Sequence, residues 1–189
     1  MKQLADFTTH HLVTKGIVTE ADAPIYAYGF EVLFSSLFTF GSIFVLAVCF
    51  DFFVETLIFF AAFFPLRIYA GGYHASTRVR CYFMSLTMIV IFCGLLVVVP
   101  TQWYYILNLV IAGVVIIFIY LWAPVIHKNR YVSSTEVHHY RMISLLICFV
   151  DVSVLFIGQS LFQEIILFFA FGLGMFSAVL TLPIAKRAN

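Results

Sequence analysis

Between Ile25 and Phe64 the chain runs for 40 residues on side chains that are almost all apolar. As one helix this stretch would extend about 60 Å, twice the hydrocarbon thickness of a bilayer, so it must fold back on itself. The reversal is expected near Asp51, giving a first span over about residues 28–50 and a second over about 52–68. Glu55 shortens the apolar part of the second span, which is either tilted across the bilayer or re-entrant.

The remainder repeats the pattern. A chain of 189 residues that is 63% hydrophobic and 10% charged, with mean hydropathy +1.08, cannot hide its apolar surface in one soluble core. Further spans are predicted over about 82–99, 103–122, 142–162 and 165–185. The fourth has aromatic belts at both ends, Trp103, Tyr104 and Tyr105 at one and Tyr120 and Trp122 at the other. The fold class is therefore all-α: a polytopic integral membrane protein of about six transmembrane helices, forming a single domain over residues 1–189. Residues 1–24 form an N-terminal interfacial segment. Within it 2–14 suits a short surface helix stopped at Gly16, and Thr19 with Asp22 resembles a capping box. These residues are mixed polar, so no cleavable signal peptide is expected.

With six spans, all ten basic residues fall on one side of the membrane, and only Asp51, Glu55 and Glu164 on the other. The positive-inside rule then makes both termini, the loop at 65–81 and the basic loop at 123–141 cytoplasmic.

The first of these loops reads Arg67-Ile-Tyr-Ala-Gly71-Gly72-Tyr-His74-Ala-Ser-Thr-Arg78-Val-Arg80-Cys81. Thiolate attack needs a sulfur, an imidazole to take its proton and electropositive surroundings; Cys81, His74, Arg78 and Arg80 supply them. Ser76 or Thr77 can cap the third span, which sets Cys81 in or beside a first turn whose dipole favours an anion. Seven residues of continuous helix would separate His74 from Cys81 by about 10.5 Å along the axis, so the loop must fold back, and Gly71-Gly72 permits that. Cys49, Cys93 and Cys148 lie in apolar runs and read as small hydrophobes.

Arg67, the Gly71-Gly72-Tyr73-His74-Ala75 core and a Cys seven residues after the His closely resemble the accessory gene regulator B (AgrB) family, membrane cysteine peptidases that mature the peptide signal of Gram-positive quorum sensing. The resemblance extends over the whole chain, including a second polar loop that begins Ala123-Pro124-Val125. It implies that Arg67, Gly72, His74 and Cys81 are required, the last two as the catalytic pair. For Arg67 two roles stay open, binding of a carboxylate or oxyanion and a snorkelling anchor at the end of span two. Gly72 is a candidate for presenting an amide to the oxyanion. No third triad member is identifiable, so the reading is a dyad.

The expected activity is that of a cysteine endopeptidase in the cell membrane, its catalytic residues at the cytoplasmic face. By resemblance it cleaves an AgrD-like propeptide through an acyl thioester and promotes ring closure to a lactone or thiolactone autoinducing peptide. Membrane lipids and a second copy of the chain, as a homodimer, are the other partners considered; nucleic acid and cofactors are not expected. His127, His138 and His139 lack the spacing of a metal site, so none is assigned. Gly158-Gln-Ser160-Leu lacks the closing glycine of a serine elbow, and Gly172-Leu-Gly174-Met lacks the aspartate of a GxGD site. Glu31 and Asp151 are acids inside apolar runs, for which a role is the default. They supply the alternative reading, a small transporter or exporter with a polar path through both.

Overall fold

The computed structural model describes residues 1–73, 77–126, 133–162 and 164–188, with side chains described through Lys186. Its helices are α1 (Lys2–Thr14), α2 (Ala23–Cys49), α3 (Phe53–Ala70), α4 (Arg78–Val98), α5 (Tyr104–Trp122), α6 (Ser134–Leu161), α7 (Ile165–Leu180) and α8 (Leu182–Ala188). A single 3-10 turn, Thr101–Trp103, leads into α5. No strand occurs among the described residues. Among the described residues, six segments are long and apolar enough to cross a membrane, the sixth combining α7 with the start of α8.

The reversal between α2 and α3 falls at Asp51, the one non-glycine described residue with positive φ, 62°. A short polar side chain is among the few that enter the left-handed region cheaply. Across this hairpin Phe40 meets Phe60 and Phe64, and Phe44 meets Phe53 and Phe60. α3 continues through Pro65 for 18 residues, about 27 Å of helix, and is long and apolar enough to cross the hydrocarbon core.

The core lies chiefly between α3, α5, α6 and α7, and Ile89, Phe92, Cys93 and Leu96 of α4 pack into it. A Cβ on Gly174 would strike the carbonyl of Phe59, so α3 and α7 approach as closely as their backbones allow. In lipid, where apolar burial gives no drive, such small-residue contacts hold helices together. Tyr104 stacks on Phe169 with ring centroids 4.1 Å apart, joining α5 to α7. α2 sits at the edge, and the outward apolar side chains of α2 and of the outer face of α4 suit a hydrocarbon solvent.

Three boundaries differ from the sequence reading. α6 begins at Ser134, eight residues before Met142, because Ser133 and Glu136 form a reciprocal capping box there. His138, His139 and Arg141 are therefore on a helix. Thr19 and Asp22 do exchange hydrogen bonds, but in a turn ahead of α2, whose N-cap Asp22 makes no side-chain capping bond. The last span breaks at Thr181, with Pro183 in the first turn of α8, where a missing N–H does no harm.

Candidate active site

The end of α3, the start of α4, the segment after α5 and the α7–α8 junction meet at one end of the bundle. Arg67, in the last turn of α3, organises this region. Its guanidinium donates to the carbonyl of Gly71 at 3.1 Å, to the Thr181 hydroxyl at 2.7 Å and to the carbonyl of Tyr73. A planar fork with fixed donors suits this work, since it holds two backbone carbonyls and a distant side chain at once.

The two glycines are there for different reasons. Gly71 has φ 80°, and a Cβ on it would strike the carbonyl of Val125; the two residues form an isolated parallel bridge. The Val125 amide also donates to the Ala70 carbonyl at 2.9 Å. The start of the second polar loop is thereby docked on the first. Gly72 has φ 141°, and a Cβ there would fall on the Arg67 guanidinium and lie 2.7 Å from the Thr181 hydroxyl. Any side chain at this position displaces the arginine.

Cys81 occupies the fourth residue of α4. Thr77 caps the helix, its hydroxyl accepting from the Arg80 amide at 3.3 Å and its carbonyl from the Cys81 amide at 3.1 Å. The amides of Arg78 and Val79 have no acceptor within the helix. Helical side chains lean toward the N-terminus, so the Cys81 sulfur leans back over that turn. Cys81 is exposed and carries a free thiol.

Arg78 forms a salt bridge with Glu31 of α2, and its guanidinium lies 5.3 Å from the centroid of the Tyr28 ring. Part of the positive field expected at Cys81 is thus already neutralised. Arg80 is exposed beside it. His74 lies outside the described residues, as do Ala75 and Ser76; they join Tyr73, held by Arg67, to Thr77, fixed as a cap. His127 lies outside them too.

The structure does not bring Glu31 and Asp151 together. Glu31 is at the α2–α4 contact, whereas Asp151 is buried in α6, which packs on α3, α5 and α7. Asp151 Oδ2 has no hydrogen-bond partner among the described residues.

Sequence reasoning missed Thr181 and the proximity of Val125. Thr181-Leu-Pro183 near the end of an apolar span was a signal for a break with a hydroxyl at it. Nothing in the sequence joins residue 181 to residue 67.

The model of the family described as Accessory gene regulator B matches residues 5–182. Among curated relatives, the Accessory gene regulator protein B of Staphylococcus carnosus (strain TM300) is 28% identical over 73% of this chain and 71% of its own length. That of Staphylococcus epidermidis is 24% identical over 65% and 62%. Protein FsrB of Enterococcus faecalis (strain ATCC 47077 / OG1RF) is 26% identical over 85% of this chain and 64% of its own length. No solved structure gives a significant match. With a family match across nearly its whole length, and with six helices able to span a membrane, the chain belongs to the accessory gene regulator B family.

Proposed function

We propose that this protein is a membrane cysteine endopeptidase that cleaves an AgrD-like propeptide at the cytoplasmic face and promotes its cyclisation for quorum sensing. The observation that carries the reading is the arrangement of Cys81, exposed in the capped first turn of α4, just after a turn at Gly71–Tyr73 that Arg67 clamps through two backbone carbonyls.

His74 takes the Cys81 proton, and the thiolate attacks the carbonyl that ends the signal segment. Amides at the start of α4 and at Gly72 face the developing oxyanion. The C–N bond breaks, the imidazolium returns its proton to the leaving amine, and the tail departs. An acyl thioester on Cys81 remains. A thiol or hydroxyl within the peptide then attacks this thioester, its proton passing through His74 to the Cys81 thiolate, and the ring closes. Exchange of one thioester for another conserves the activated acyl bond, provided that water is kept away. In this scheme Arg67 is a positioning residue, since three of its five donors are engaged by the loop and by Thr181.

Following a labelled AgrD-like propeptide in cells that carry Cys81→Ala tests the reading. Loss of tail release with normal membrane insertion is expected, a fall of about 10⁴-fold or more. Unchanged processing would overturn it.

A further inference from the structure

Cys81 also lines a cleft of about 280 Å³ between α2, α3 and α4. Phe60, Phe63 and Phe64 of α3 form one wall, Ser36 of α2 faces them, and Ser85 follows Cys81 by four residues on the same face of α4. Phe60 and Phe64 stack with centroids 4.9 Å apart, which makes that wall a continuous aromatic surface. The cleft is smaller than the roughly 300–1,000 Å³ typical of a site for a whole small molecule. It is of the size needed by one large side chain. Five hydroxyl-bearing residues, Ser35, Ser36, Thr39, Tyr82 and Ser85, also line it, and the cation on its lining, Arg78, is held by Glu31.

We infer that this cleft receives the side chain of the residue whose carbonyl Cys81 attacks, and that it selects a bulky, uncharged apolar or aromatic residue there. The inference rests on the peptidase reading and names a specificity site within it. An attacked carbonyl must come within about 3–3.5 Å of the sulfur. The substituent on the adjoining Cα then lies within one residue's length of the cleft that Cys81 lines. An aromatic wall without an acidic group favours apolar burial and gives a charged side chain no partner.

The test uses the full chain in phospholipid nanodiscs and four peptidyl chloromethyl ketones that differ only in the acyl-side residue: Gly, Ala, Leu or Phe. The Cys81 thiolate displaces chloride, forming a C–S bond as the C–Cl bond breaks, and intact mass reads the rate. Each rate is normalised to labelling by iodoacetamide, which carries no side chain. The Leu and Phe probes should label about tenfold or more faster than the Gly probe. Ser85→Trp, which fills the cleft, should erase that preference, and Phe63→Ala, which enlarges it, should tilt the preference toward Phe. Normalised rates independent of the side chain would overturn the inference, as would a preference that survives both variants unchanged. Side-chain independence together with protection of Cys81 by oleate would assign the cleft to a lipid acyl chain, which also overturns it. Each result is separate from the peptidase reading, which fails instead if Cys81→Ala still processes propeptide.

Discussion

The two halves of the bundle are built to different standards of packing. In an apolar 18-residue stretch of the span that contains α7, 56% of residues are buried inside the protein; in such a stretch of α2 the share is 11%. α3 and α7 touch backbone to side-chain-free backbone at Gly174, whereas α2 and α4 meet largely through long side chains such as Glu31 with Arg78 and Phe38 with Tyr82. The candidate site straddles this divide. The turn at 71–73 is fastened to the tight half by Arg67, Thr181 and Val125, and Cys81 is carried by the loose one. In the proposed mechanism, a fastened turn beside a more loosely packed thiol suits a site that would hold an oxyanion, admit a peptide and then release a ring.

If the comparison is right, damage to the fastened turn should cost far more than damage to the α2–α4 contact. The largest effect is expected for Gly72→Ala. Backbone at φ 141° and the space taken by the Arg67 guanidinium both exclude a Cβ. Displacing the turn by about 1 Å is enough to lower acylation of Cys81 about 100-fold. Rapid-quench acylation rates check this, with membrane abundance measured in parallel.

Thr181→Val comes next. It removes the hydroxyl 2.7 Å from Arg67 and leaves a charged donor without that acceptor, at a cost of about 1.5–3 kcal/mol. Through the arginine this should slow acylation about tenfold, with KM little changed and activity restored by Thr181→Ser. A merely structural role would lower abundance without separating kcat from KM, and serine would then restore abundance alone.

Glu31→Gln should have the smallest effect. The pair it breaks is partly solvent-exposed, and such pairs contribute about 0–1 kcal/mol, so processing should change by less than about fivefold. A larger loss here than for Gly72→Ala would reverse the ranking of the two halves.

Much of the fold could be read from the sequence because lipid leaves few choices. A 40-residue apolar run must turn, and Asp51 was the residue able to turn it. Span ends were harder to read where a polar signal overrode hydropathy. Ser133 and Glu136 extend α6 into a stretch whose basic residues and histidines suggested a loop, and Thr181 with Pro183 breaks a span that is apolar throughout. At the site, the motif from Arg67 to Cys81 marked the candidate chemistry, and of the two caps the sequence offered, Ser76 or Thr77, it is Thr77 that caps α4. The work of Arg67 did not, since a cation at a helix end is equally suited to lipid headgroups. Its three acceptors include Thr181, 114 residues away, and that contact depends on α3 and α7 running parallel with Phe59 beside Gly174 and Arg67 beside Thr181. Arg78 shows the converse, a cation read as an activator of Cys81 that is shared with an acid on the neighbouring helix.

The central claim is that Cys81 carries the acyl group between cleavage and ring closure, and mass spectrometry tests it most directly. The purified protein is incubated with an AgrD-like propeptide whose ring nucleophile is replaced by Ala, so that the thioester cannot be displaced from within. The account predicts a hydroxylamine-sensitive adduct of the signal segment on the peptide that contains Cys81, absent in His74→Ala. An adduct on another residue, or tail release that proceeds in Cys81→Ala, would contradict it.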